Sequence, residues 1–123
     1  DASSRRLDSL YVLIDRTHLT RVLNNLINNS LQAQKDNTPI SVNIEIDKKD
    51  KNCIIRVTDN GTGIPMEIQN RIFEPNFTTK SSGTGLGLAM VKKIVDDLKG
   101  KINYTTSIKG TVFEIIIPIY NNN

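Results

Sequence analysis

Residues 23–30 read Leu23-Asn24-Asn25-Leu26-Ile27-Asn28-Asn29-Ser30. The apolar residues of this stretch fall on one face of a helix with 3.6 residues per turn, and they continue an apolar face that begins at Leu19. Asp15 is a good N-cap, so we predict a long helix from Asp15 through about Ala33. A narrow polar stripe borders the apolar face and could line a pocket; it consists of Arg21, Asn25, Asn29 and Gln32.

The rest of the chain alternates strand and helix patterns around this helix. Period-2 alternation predicts strands, apolar residues at helical spacing predict two further helices, and a polar segment between those helices predicts a mobile loop. Because hairpins supply most of the strands and the helices cover one face only, we expect an α+β two-layer sandwich. The predicted elements are a strand at 11–14, a hairpin of strands 40–47 and 52–58, a short helix at 65–73, the loop at 74–83, a helix at 84–99 stopped by Gly100, and a closing hairpin of strands 101–106 and 111–119.

Length and composition indicate one domain over residues 1–123, with frayed ends at 1–8 and 120–123. Neither a signal peptide nor an apolar run of the roughly 20 residues that span a membrane is recognised, so we expect a cytoplasmic domain. The net charge is +3, but lysines and aspartates alternate across residues 47–51, so a nucleic-acid partner is not expected. The single cysteine, Cys53, has apolar neighbours and is predicted to be a buried thiol.

Three further sequence blocks follow the first helix, and the first of them is Asp59-Asn60-Gly61-Thr62-Gly63-Ile64-Pro65. Asp59 ends a predicted buried strand, where its carboxylate can accept a hydrogen bond from the exocyclic amino group of adenine. Gly61 and Gly63 would let the backbone pass close beneath the base. An isolated Asp-Asn-Gly is more often only a turn, so this block gains its meaning from the blocks around it.

The other two blocks are Phe73-Glu74-Pro75-Asn76-Phe77-Thr78-Thr79-Lys80 and Gly83-Thr84-Gly85-Leu86-Gly87-Leu88-Ala89-Met90. The loop between them offers Lys80 and threonine hydroxyls, and the glycines lead into a helix N-terminus that favours phosphate oxygens. We predict a flexible lid over phosphates, with Phe73 and Phe77 as its hydrophobic anchors. The pattern does not fit a Rossmann or Walker loop, because a polar lid rather than a buried strand precedes the glycines and no Gly-Lys-Ser/Thr follows.

Asn25 and Asn29 lie about 40° apart around the helix, so their amides project in nearly the same direction. Amide oxygen suits a hard cation, and Mg²⁺ bound to ATP needs few protein oxygens because phosphates and water fill most of its octahedron. The alternative is that both are solvated helix residues in an asparagine-rich chain. Taken in order, the four blocks supply the parts that hold ATP with a metal ion, and we predict a nucleotide site.

The four blocks resemble, in order and spacing, the N, G1, F and G2 boxes of the catalytic ATP-binding domain of sensor histidine kinases in two-component systems. These belong to the GHKL superfamily, which also holds DNA gyrase, Hsp90 and MutL. The resemblance runs from about Leu10 to Pro118, and Gly110-Thr111-Val112-Phe113 is similar to the family's closing Gly-Thr-x-Phe element. It implies the Bergerat fold: a mixed sheet of about five strands covered on one face by three helices, with ATP beneath a mobile lid. As departures, Asn76 replaces the second phenylalanine of the usual Phe-x-Pro-Phe-Phe, and Ser30 replaces a common alanine.

The resemblance also implies roles for individual residues. Asn29 would coordinate Mg²⁺ and Asn25 would assist at the phosphates, which makes these two the expected catalytic residues. Asp59 would recognise adenine, with support from Thr111. The residues implied in binding ATP are Asn29, Asp59, Gly61, Gly63, Ile64, Thr79, Lys80, Gly83, Thr84, Gly85, Leu86, Gly87, Leu88 and Thr111.

The residue at position 25 separates enzyme classes. ATPase members of the superfamily carry a glutamate there as a general base, whereas the amide of Asn25 cannot take a proton near neutral pH. A neutral imidazole acceptor needs no such base. We therefore expect poor hydrolysis, and by resemblance the transfer of the γ-phosphoryl group of Mg-ATP to a histidine on a separate dimerisation domain.

Further partners follow from the same resemblance. An aspartate of a response regulator receiver domain would take the phosphoryl group from the histidine. The isolated domain is expected to be monomeric, within a homodimeric parent protein that could be anchored in the inner membrane. Two alternatives stay open: a protein-serine kinase of the same fold, like anti-sigma factors, and a module that senses adenine nucleotides without phosphoryl transfer.

Overall fold

A computed structural model describes residues 16–35, 37–75, 77 and 87–119 of the chain. The order of elements agrees with the order predicted from the sequence; the predicted strand at 11–14 and most of the predicted lid at 74–83 lie outside the described residues. The elements are α1 (Arg16–Gln32), β1 (Val42–Lys49), β2 (Asn52–Asp59), a 3₁₀ helix (Met66–Arg71), α2 (Leu88–Asp97), β3 (Lys101–Ser107) and β4 (Gly110–Pro118).

The four strands form one sheet in the order β1-β2-β4-β3, and every pairing among these strands is antiparallel. Both predicted hairpins are present, and they join side by side through β2 and β4. The two hairpins and three helices confirm the predicted α+β class, and the four described strands come close to the five expected. None of the helices in the described ranges is long and apolar enough to cross a membrane.

The hydrophobic core lies between one face of the sheet and the helices. Alternate residues of β2 and β4 point toward this core, which gives β4 a period-2 burial pattern. In β2 the alternation is interrupted at Ile54, which is buried between Cys53 and Ile55 although it points to the other face of the sheet. From α1, Val22 and Leu26 are 2% and 0% exposed, so the predicted apolar face of this helix is confirmed. The buried residues that make up the core are Val22, Leu26, Cys53, Ile55, Val57, Ile72, Leu88, Val91, Ile94, Val95, Phe113, Ile115 and Ile117.

Strand β1 occupies an edge of the described sheet and is only partly covered. Ile44 and Ile46 pair with Val57 and Ile55 of β2, which places all four on the face that the helices cover. Nevertheless, Ile44 and Ile46 are 41% and 46% exposed. The alternation read from the sequence therefore identifies the strand and its inward face correctly, but not how far the helices extend over it.

The predicted start of the helix at Thr84 is wrong. The helix begins at Leu88, because Gly87 has φ +58° and ψ +24° and occupies the N-cap position. A residue in this left-handed conformation cannot continue a right-handed helix. The glycine that was expected inside the helix is the residue that precedes it.

α2 ends at Asp97, two residues before the predicted end at Lys99, and a residue other than Gly100 makes the turn. Lys99, with φ +63°, adopts the left-handed conformation, and the Gly100 N–H donates to the Val95 carbonyl oxygen at 2.9 Å, as in a Schellman motif. Gly100 is required for another reason: a Cβ there would lie 2.4 Å from the Ile116 carbonyl oxygen. The chain therefore leaves the helix through a lysine and then passes closely against β4.

Candidate nucleotide-binding site

A cavity of about 270 Å³ lies where the C-terminal end of α1, the segment after β2 and the start of β4 meet. Five of the residues predicted to bind a nucleotide line it, together with Gln32 of the predicted polar stripe and five residues for which no role was predicted. The predicted ones are Asn29, Asp59, Gly63, Ile64 and Thr111. The additional ones are Gln32, Ala33, Thr62, Pro65, Ile68 and Phe113.

Asp59 ends β2 and is 8% exposed. Its Oδ1 atom accepts hydrogen bonds from the Gly61 N–H at 2.9 Å and from the Thr111 N–H at 3.2 Å. Both bonds that this carboxylate accepts within the described part of the chain go to the same oxygen. The backbone thus fixes the orientation of the carboxylate, and Oδ2 is left to accept a hydrogen bond from a ligand.

Gly61 and Gly63 are required by contacts between backbone segments. A Cβ on Gly61 would lie 2.5 Å from the Ala33 carbonyl oxygen, at the end of α1. Gly63 has φ +83°, and a Cβ there would lie 2.1 Å from the Ser107 carbonyl oxygen of β3. The turn after β2 is therefore held against α1 on one side and against β3 on the other, which brings the walls of the cavity together.

Two threonines on neighbouring strands connect this turn to the sheet. Thr111 is 4% exposed, and its Oγ1 lies 2.8 Å from Oγ1 of Thr106. Thr106 Oγ1 also accepts a hydrogen bond from the Ile64 N–H at 2.8 Å, and the Gln69 side-chain amide donates to the Ile64 carbonyl oxygen at 2.9 Å. The sequence analysis missed Thr106; its position across the closing hairpin from Thr111 was the available signal.

The two asparagines of α1 differ in their surroundings. Asn29 lines the cavity, whereas the Asn25 side-chain amide donates to the Arg21 carbonyl oxygen at 3.0 Å, one turn back on the same helix. Asn25 is not among the residues that line the cavity in the described part of the chain. The structure thus brings Asn29 together with Asp59 and Thr111 at the cavity. Asn25 lies one turn closer to the N-terminus of α1 and does not line the cavity.

The remaining predicted site residues near α2 do not line the cavity or lie outside the described residues. Gly87 precedes α2, and Leu88 is 1% exposed and packs in the core, so Leu88 could reach a ligand only through its backbone. The other predicted residues in this region lie outside the described ranges: Thr79, Lys80, Gly83, Thr84, Gly85 and Leu86.

Phe73 and Phe77, predicted to be hydrophobic anchors, both pack against the core. The Phe73 ring lies 6.2 Å from that of Tyr104, and the Arg71 guanidinium lies 4.7 Å from the centre of the Phe77 ring, a cation–π geometry. Asn76, which replaces a phenylalanine of the family's usual Phe-x-Pro-Phe-Phe sequence, lies outside the described residues.

Comparison with known proteins relates the chain to histidine kinases. A family model described as "Histidine kinase-, DNA gyrase B-, and HSP90-like ATPase" matches residues 14–121. Among curated proteins, sporulation kinase A of Bacillus subtilis (strain 168) is 38% identical over 117 residues, which cover 94% of this chain and 19% of that protein. The sensor histidine kinase ZraS of Salmonella typhimurium is 38% identical over 128 residues, covering 97% of this chain and 27% of ZraS. The chain therefore spans about a fifth to a quarter of the length of these relatives.

Solved structures show the same similarity. The catalytic domain of histidine kinase ThkA superimposes with a TM-score of 0.75 at 38% identity, covering 87% of this chain and 70% of that one. The mycobacterial sensor histidine kinase MprB superimposes with a TM-score of 0.71 at 25% identity, covering 88% of this chain and 76% of that one. The similarity thus includes both the sequence and the arrangement of the elements of the fold.

Proposed function

Because this chain belongs to the histidine kinase-, DNA gyrase B-, and HSP90-like ATPase family, we propose that it transfers the γ-phosphoryl group of Mg-ATP to a histidine on a separate dimerisation domain. Its similarity to these relatives shows that the chain is an ATP-binding catalytic domain of the sensor histidine kinase type. The observation that carries the proposal is the carboxylate of Asp59, which lines the cavity and is held by two backbone N–H groups on one of its two oxygens.

Adenine fits the chemistry of the cavity. Oδ2 of Asp59 can accept a hydrogen bond from the exocyclic amino group, and Thr111 lies beside it because its N–H donates to the same carboxylate. Ile64, Ile68 and Phe113 supply apolar lining for the faces of the base. Flat apolar walls with a few fixed polar groups are the usual composition of a small-molecule site.

The phosphates would lie toward Asn29 and the start of α2. The described residues contain no cluster of three or more His, Cys, Asp or Glu side chains that could hold a metal ion. The residues present suit Mg²⁺ that arrives with ATP, since this ion keeps phosphate and water ligands and needs only one or two protein oxygens. Asn29 would contribute the amide oxygen, and the ion would neutralise charge on the phosphates. We assign the loop residues Thr79, Lys80 and 83–86 to the phosphates on the family pattern.

Asn25 supports transfer to histidine over hydrolysis. An amide cannot serve as a general base, and the side-chain N–H of Asn25 is engaged with the Arg21 carbonyl oxygen. A neutral imidazole already carries a lone pair, so the protein mainly has to position the two reactants and stabilise charge. The phosphohistidine would then pass its phosphoryl group to an aspartate of a response regulator. We further propose that residues 1–123 form one cytoplasmic domain, monomeric when isolated and part of a homodimeric parent.

The test has two stages. Titration calorimetry with a non-hydrolysable ATP analogue, with and without Mg²⁺, should show binding that the ion strengthens. The chain is then incubated with radiolabelled Mg-ATP and a separately produced phosphoacceptor domain, with a His→Gln acceptor as the control. Label that is stable in alkali, labile in acid and absent from the control supports transfer to histidine. Acid-stable label would indicate a serine kinase, and binding without transfer would indicate a nucleotide-sensing module.

A further inference from the structure

The hydroxyl groups of Thr106 and Thr111 form a pair whose hydrogen-bond direction determines what the cavity offers to a base. Thr106 on β3 lies directly opposite Thr111 on β4, and their Oγ1 atoms are 2.8 Å apart. Thr106 Oγ1 also accepts from the Ile64 N–H at 2.8 Å. A hydroxyl has one proton and two lone pairs, so these contacts restrict where each proton can point.

Two arrangements of the protons are conceivable. If Thr111 donates to Thr106, both lone pairs of Thr106 Oγ1 are occupied, and its own proton has no acceptor among the described residues. If Thr106 donates to Thr111, then Thr106 accepts one bond and donates one, and the proton of Thr111 is free to enter the cavity. Without a ligand, both arrangements make the same two hydrogen bonds and leave one hydroxyl proton without an acceptor among the described residues. Once a base that carries an acceptor lies beside Thr111, only the second arrangement pairs every one of these donors, and the bound base therefore favours it energetically.

This direction gives the cavity a defined hydrogen-bonding pattern. Oδ2 of Asp59 is an acceptor, and the Thr111 hydroxyl beside it becomes a donor. A 6-amino purine presents the complementary pair, because its exocyclic amino group donates and its N1 accepts. A 6-oxo purine presents the opposite pair, so it would meet acceptor with acceptor and donor with donor. Buried mismatches of this kind discriminate strongly between ligands.

We propose that Thr106 is a positioning residue for base selection: its hydroxyl accepts a hydrogen bond from the Ile64 N–H and donates one to the Thr111 hydroxyl, so that the Thr111 hydroxyl donates to N1 of a 6-amino purine. Thr106 acts through Thr111 and needs no contact with the nucleotide. The inference rests on the proposed function, because it assumes that the base of an adenine nucleotide occupies this cavity.

The experiment measures the affinities of the full chain for ADP, inosine diphosphate and 1-deaza-ADP, in which a C–H replaces N1. The variants are Thr106→Val, which removes the hydroxyl at nearly constant shape, and Thr106→Ser, which keeps it. The matched control is Thr105→Val, since Thr105 pairs with Val112 on the other face of the hairpin and is exposed. We expect Thr106→Val to weaken the affinity for ADP by about ten-fold and to leave the affinity for inosine diphosphate within about two-fold of the wild-type value. Thr106→Ser and Thr105→Val should keep the preference for ADP.

Each outcome bears on one proposal. Equal losses for ADP and inosine diphosphate in Thr106→Val would mean a merely structural role and would overturn the inference. The wild-type chain alone provides a second test if that variant does not fold: 1-deaza-ADP should bind about ten-fold more weakly than ADP, and equal affinity would show that nothing donates to N1. Failure of the wild-type chain to bind ADP at all would instead refute the proposed nucleotide site.

Discussion

Replacement of Asp59 by asparagine tests the base end of the site. Asp59 is 8% exposed, and its Oδ1 accepts from the Gly61 and Thr111 N–H groups at 2.9 and 3.2 Å. The oxygen of an asparagine amide can occupy the same position, so both backbone bonds can survive. The amide nitrogen then replaces Oδ2 and directs protons into the cavity, where the amino group of adenine also directs protons.

The magnitude follows from this exchange of an acceptor for a donor. A buried donor that loses its acceptor costs roughly 1–3 kcal/mol, which corresponds to about a five-fold to 150-fold weaker affinity for ADP. The folded state should lose a comparable amount of stability, because its two bonds change from charge-assisted to neutral at a cost of roughly 1 kcal/mol each. Inosine diphosphate carries an oxygen in place of the amino group, so the variant should bind it better relative to ADP than the wild-type chain does.

The assay is titration calorimetry with both nucleotides, accompanied by thermal unfolding to establish that the variant is folded. Asp97→Asn is the matched control, since it removes the same charge from a side chain that is 68% exposed and pairs with Lys93 on the surface of α2. If folded Asp59→Asn binds ADP as tightly as the wild-type chain does, then Asp59 does not recognise the base and the assignment of the cavity is wrong.

Three further predictions concern the metal, the turn and the core. Asn29→Asp adds a charge at the proposed metal ligand and should slow phosphoryl transfer at least about ten-fold while changing ADP affinity less; an unaltered transfer rate would contradict the role of Asn29. Gly63→Ala should lower the free energy of unfolding by roughly 2–4 kcal/mol, because its Cβ would lie 2.1 Å from the Ser107 carbonyl oxygen; an unchanged denaturant midpoint would show that the turn can move. Burial raises the pKa of the Cys53 thiol, so iodoacetamide should modify it much more slowly in the folded than in the unfolded chain at about pH 8.5. The unfolded chain releases this proton first, so stability should fall as pH rises above about 8.5, and a Cys53→Ala variant should lack this part of the pH dependence.

Local patterns predicted the elements of the fold well. The apolar face of α1 and the alternation in β2 and β4 are properties of neighbouring residues, and packing preserved them. The exposure of Ile44 and Ile46 on β1 could not be predicted in the same way, because it depends on how far α1 extends over the edge of the sheet. Sequence periodicity reports which face points inward but not what covers that face.

The sequence predicted several of the residues that line the cavity, but not the strand register and backbone conformations that join them. Asp59, Asn29 and Thr111 were identified from the sequence, and the structure brings all three to one cavity. Thr106 was missed because its importance arises from the register of β3 against β4. The glycine at position 87 was recognised as part of the site, but only its left-handed conformation shows that α2 starts after it.

The electric fields of the two helices orient the proposed nucleotide. The cavity adjoins the C-terminal end of α1, where Ala33 accepts a hydrogen bond from the Thr62 N–H at 2.8 Å, and this end of a helix carries partial negative charge. The Asp59 carboxylate adds a formal negative charge on its side of the cavity, so a neutral base with an amino group is favoured beside Asp59, whereas phosphates near Asn29 would rely on the Mg²⁺ that accompanies them. The N-terminal end of α2, which begins after Gly87, carries the partial positive charge that phosphates prefer. A nucleotide that enters with its base toward Asp59 and its phosphates toward α2 satisfies both ends, and the reversed orientation satisfies neither.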